Sequence, residues 1–142
     1  MSNKGNRIAE GDGQFRKATL DPHYTGYFEL FNRQKFFEAH EVLEHLWLPD
    51  KHGPNGAFYK GLIQLAGAFV HLQKNRPQPA ASLFKLALAN LEKYPVVHKE
   101  LNLQNMPGLI HRWLTALERP DDGGLLLTEA NAPKLKLERS GE

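Results

Sequence analysis

Three residues in "FFEAHEVLEHLW", Phe36 to Trp47, carry side chains that could do chemistry: His40, Glu41 and Glu44. An imidazole beside carboxylates can ligate a divalent metal, move a proton, or form an ion pair. At about 100° per residue, Phe36, Ala39, Leu43, Leu46 and Trp47 gather on one side of a helix and form its core stripe. Glu38 and His45 fall opposite, toward solvent. His40, Glu41 and Glu44 lie between, on a flank that also carries Phe37 and Leu48.

The next apolar segment, "NGAFYKGLIQLAGAFVHLQKN", offers a matching side. Gly61, Gln64, Ala68 and His71 line one face at helical spacing, and Gly61, Gly67 and Ala68 let a neighbouring helix approach closely. With the two helices antiparallel, His40, Glu41, Glu44, Gln64 and His71 are expected to form one polar cluster between apolar faces.

That cluster has two chemical readings. "HEVLE" begins like the zinc-protease pattern H-E-x-x-H, but its fifth position is Glu44, and His45 stands about 140° around the helix from His40. The protease motif is therefore absent. A water-completed metal site would use His40, Glu44 and His71 as ligands and Glu41 as base. The other reading is a satisfied network. A desolvated carboxylate needs a partner, and His40 can supply it, with Lys60, Arg33, Arg76 and Arg112 as further candidates.

The elements that must position these groups are helices. "DPHY" starts the first, with Asp21 as cap and Pro22 in the opening turn, and "NRQ" turns it into the second. The second is expected to end near Leu48, because Pro49 disfavours helical geometry just before it. "PDKHGPNG" is a loop, the third helix follows, and "RPQP" breaks it. Pro79 begins a fourth, "AASLFKLALANLEKY", ending before Pro95. "VVHKELNLQN" reads as irregular, and "PGLIHRWLTALER" as a shorter fifth helix. No alternating β-branched run argues for a sheet. The expectation is an all-α, compact antiparallel bundle of four to five helices over residues 21–119. A flexible N-terminal arm spans 1–20. A C-terminal loop or tail spans 120–142, with "LLL" as a candidate docked segment.

Composition narrows the function classes. The chain has 142 residues, 18 Lys and Arg, 16 Asp and Glu, and no cysteine. Thiolate metal sites and cysteine nucleophiles are excluded. The near-balanced charge gives no nucleic-acid footprint. No run of about 18 apolar residues could span a membrane, and no apolar signal core opens the chain, so a soluble cytoplasmic protein is expected. There is no phosphate-binding glycine loop and no nucleophile elbow. Trp47 and Trp113 lie on apolar faces and read as core anchors. His23, His52, His98 and His111 share no ligand spacing.

The ordered motifs carry a resemblance. Glu38-Ala39-His40-Glu41, Glu44 and Trp47, followed by Gly61-Leu62-Ile63-Gln64, Ala66, Ala68 and His71, are similar to the signature of the small helical proteins called domain of unknown function 309. The resemblance runs from about Tyr24 to Pro95, with a looser match through "GLIHRWLTAL". It implies an all-helical fold and a role for the five cluster residues, but it supplies no reaction. The leading expectation is a non-enzymatic binding or scaffold module with a buried His/Glu/Gln cluster between two helices. The alternative is a metal-dependent hydrolase on the same cluster. A divalent metal and no cofactor at all fit equally. The partner is a protein or small molecule of unspecified identity, and a homo-oligomer is compatible.

Overall fold

The computed structural model describes residues 20–119 and 126–138. The Asp21 carboxylate accepts the His23 N–H at 2.7 Å, capping α1 (Pro22–Asn32), with Pro22 in the first turn where its missing N–H is harmless. Gln34, at φ 63°, turns the chain back, and the Lys35 N–H closes the helix end on the Leu30 carbonyl at 2.9 Å.

α2 (Phe36–Asp50) runs two residues past the expected stop, with Pro49 inside it. A proline in the last turn removes one helical hydrogen bond and leaves no further turn to disrupt. α3 (Gly56–Gln73) follows a short loop. α4 (Pro77–Leu91) starts at Pro77 rather than Pro79. Both prolines fit the first turn, whose N–H groups have no intrahelical acceptor. α5 is Met106–Leu117.

The expected all-α bundle is what forms. Each helix packs on the next: α1 on α2, α2 on α3, α3 on α4 and α4 on α5. Phe69 of α3 is the hub. It stacks on Phe36 at 5.0 Å and meets Phe31, Phe84 and Trp113 edge-on at 5.8, 5.1 and 5.4 Å. Four elements are thereby tied to one ring, and each such aromatic pair adds about 0.5–1.5 kcal/mol beyond simple burial. Trp113 is fully buried as expected, whereas Trp47 is only partly buried at the edge.

Two features depart from the expectation. The segment after α4 holds a hairpin, β1 (Val97–His98) against β2 (Leu101–Asn102), antiparallel with His98 opposite Leu101. Lys99 and Glu100 fill its turn at φ 48° and 63°. Strands of two residues are too short to show alternation, and Lys-Glu lacks the Asn-Gly signal of such turns. The C-terminal segment also docks further along than "LLL". Asn32 exchanges two 2.7 Å hydrogen bonds with the backbone of Leu135, and Leu137 bridges Leu101. Of the leucine run, Leu126 is exposed and Leu127 packs against the core. The arm read at residues 1–20 lies, but for Leu20, outside the described residues. No helix among the described residues is long and apolar enough to cross a membrane.

Candidate functional site

The polar strip of α2 is real and faces outward. His40 Nε2 lies 3.2 Å from Glu44 Oε2, the two side chains being 27% and 40% exposed. His40 Nδ1 sits 3.3 Å from the Phe37 carbonyl oxygen. Both ring nitrogens therefore face acceptor oxygens, and a neutral ring can donate to only one of them. The Phe37 ring stands 5.5 Å from the His40 ring. Phe37 and Leu48 are 50% and 57% exposed, on the same side of the helix. Glu41 is exposed between them.

Charge near this strip is arranged differently from the expectation. Lys60 of α3 places its Nζ 4.3 Å from the centroid of the Trp47 ring, and Lys51 lies 5.8 Å away. A lysine over an indole face gains a cation–π contact of about 0.5–1 kcal/mol at an exposed site. The recorded partner of Glu44 is His40, whose spacing of four residues suits a helical pair.

The α3 residues turn toward α4. Gln64, 9% exposed, accepts a hydrogen bond from Asn90 Nδ2 at 2.8 Å, and Asn90 Oδ1 accepts one from Lys93 Nζ at 3.2 Å. Gly61 lies on the same seam: a Cβ there would stand 2.8 Å from Leu91 Cγ and 3.2 Å from Asn90 Cβ. The small-residue face thus permits close approach of α4 rather than α2. His71 is partly exposed, but its Nδ1 is buried and has no hydrogen-bond partner. Burial, then the cations Arg76 and Lys74, push its pKa below the usual histidine value.

The five-residue cluster therefore divides. His40 and Glu44 come together, Glu41 stands in solvent beside them, Gln64 joins Asn90, and His71 stands apart. Among the described residues, no hydrogen bond or ion pair joins His40, Glu41 or Glu44 to Gln64 or His71. Nor do three or more His, Asp or Glu side chains form a group able to hold a metal ion, so His40, Glu44 and His71 are not assembled as one ligand set.

Two polar contacts escaped the sequence reading. Asn90 was signalled only by its place among leucines in "LALANL". His98 Nε2 donates to Asn55 Oδ1 at 2.7 Å, and its ring packs 4.7 Å from both Phe58 and Tyr94. Nothing local in "VVHKE" marks that long-range contact.

Residues 24–83 match the family model described as "Domain of unknown function (DUF309)". An uncharacterized protein of Aquifex aeolicus (strain VF5) is 33% identical over 73 residues, covering 51% of this chain and 22% of that protein. The chain therefore spans well under half the length of that relative. No solved structure matches.

Proposed function

We propose that this chain is a non-enzymatic binding module whose contact surface is the outward face of α2: Phe37, His40, Glu41, Glu44 and Leu48. The observation that carries the reading is the pair of half-exposed apolar side chains, Phe37 and Leu48, bracketing the His40–Glu44 pair on one helix face. Apolar anchors spaced by polar groups are how a helix face engages a partner segment. The relative supports a modular role, since the shared segment is a 22% portion of a larger protein.

The occupant is a basic segment of another protein. Between Lys35 and Lys51, α2 carries Glu38, Glu41, Glu44 and Asp50 and no Lys or Arg, although the whole chain is formally +2. Complementary charge steers and registers such a partner. A second copy fits poorly. Setting Phe37 against Leu48 of an antiparallel copy places Glu41 beside the copy's Glu44, and like charges so placed repel.

The test is a photo-crosslinking amino acid placed at Glu41 in the full chain, with exposed Gln78 on α4 as the control position. The expected product is a discrete crosslinked protein that depends on position 41. Glu41→Lys with Glu44→Lys should abolish it, and acidic substitution of the partner's facing basic residues should restore it. Equal labelling from positions 41 and 78 would remove the reading. So would hydrolase activity that requires His40.

A further inference from the structure

His23 and His45 share no spacing in the sequence, yet the fold brings them together. Their imidazole rings, one on α1 and one on α2, stand 4.9 Å apart, centroid to centroid, with 30° between the planes. Both reach solvent: the His23 side chain is 45% exposed and His45 is exposed. Asp21 Oδ1 lies 3.0 Å from His23 Nδ1 while also capping the helix through the His23 N–H.

This arrangement is that of an oriented ligand. A ring that donates from Nδ1 to a carboxylate carries its lone pair on Nε2, and such carboxylate–histidine pairs fix the tautomer of metal-binding imidazoles. The capping hydrogen bond holds the Asp21 carboxyl below the usual carboxylate range, so the acceptor stays charged near neutral pH. A second imidazole from the neighbouring helix then faces the first.

We propose that His23 and His45 together bind a divalent ion of the zinc and copper class across the α1–α2 seam, with water completing its coordination. Two neutral imidazole nitrogens suit those ions and not magnesium or calcium, which take oxygen ligands. The site needs only two protein ligands. This agrees with the absence, among the described residues, of any gathered group of three or more His, Asp or Glu. An ion held by one residue from each helix staples α1 to α2. The proposal is independent of the α2 binding face.

The experiment is thermal unfolding of tag-free, full-length protein with added Zn²⁺ or Mg²⁺, beside His23→Ala and His45→Ala. Because both side chains are exposed, the metal-free variants should melt close to the parent. Zn²⁺ at about ten times its dissociation constant should raise the parent Tm by about 5 °C. Mg²⁺ should not, and either substitution should abolish the rise. Cu²⁺ should also broaden the ring resonances of His23 and His45 before those of the other histidines. No Zn²⁺ effect on the parent would overturn the proposal, as would an undiminished rise in His45→Ala or first broadening at other histidines.

Discussion

Gln64 and Asn90 are joined by a 2.8 Å hydrogen bond across the α3–α4 seam, which commits the polar strip of α3 to α4 instead of α2. Gln64 is 9% exposed, so its side-chain oxygen has little access to a replacement from water. Asn90→Ala should therefore destabilise the fold by about 1–3 kcal/mol, the cost of leaving a buried acceptor unsatisfied. Replacing both residues, as Gln64→Leu with Asn90→Leu, should cost less than the sum of the single changes. Urea denaturation in a double-mutant cycle measures this, and strict additivity would show that the bond contributes nothing.

Gly61 and Gly108 should respond oppositely to alanine. Alanine gains about 1 kcal/mol over glycine inside a helix. At Gly108 in α5 a Cβ meets nothing within 4 Å, so that gain should appear as a stabilisation of about 0.5–1 kcal/mol. At Gly61 the Cβ would stand 2.8 and 2.9 Å from atoms of Leu91. Forcing α3 from α4 costs typically about 1–3 kcal/mol and outweighs the propensity gain. Opposite signs of the shift in denaturation midpoint, at unchanged m-value, are the expected result.

The helices and their core were legible because each depends on local periodicity. Phe36, Ala39 and Leu43 are buried as their spacing required, and Asp21 caps as its place before Pro22 implied. The His40–Glu44 pair was legible for the same reason: both partners lie on one helix, four residues apart. Which neighbour a helix face meets is a different kind of information. The stripe of Gly61 and Gln64 promised close approach but could not say whether α2 or α4 would approach. The hairpin at Val97–Asn102 and the seating of Leu135 on Asn32 rest on contacts distant in sequence and lack a period to announce them. The same limit hid the meeting of His23 with His45.

Glu100 occupies the hairpin turn at φ 63°, where a side chain is strained and glycine is not. Glu100→Gly should stabilise the protein by about 1 kcal/mol, with the backbone bond from the Glu138 N–H to its carbonyl retained. Lys99 shares the left-handed conformation but should be left alone, because its ammonium lies 5.2 Å from the centroid of the Tyr24 ring. A glycine at position 100 that lowers the melting temperature would show that the Glu100 side chain makes a stabilising contact greater than the strain.

Stability should fall as pH drops below the usual histidine value. Burial, with Lys99 as a lesser influence, lowers the His98 pKa from 6.5, and burial with Arg76 and Lys74 lowers that of His71 from the same value. In the window just below 6.5 the unfolded chain binds more protons at these two positions than the folded chain does. The free energy of unfolding therefore rises with pH across that window and levels above it. Asp21, with a carboxyl lowered from 3.8, also favours the folded state, but its contribution is lost only at more acidic pH. The two effects can thus be separated on one titration. Urea denaturation between pH 7.5 and 5 should show the slope in the parent and a shallower one in His71→Gln. That variant should remain well folded, since it removes a ring nitrogen that had no partner. His98→Gln should flatten the slope further while lowering stability throughout, because the ring also packs against Phe58 and Tyr94. An unchanged slope in the double variant would mean that neither histidine is held neutral by the fold.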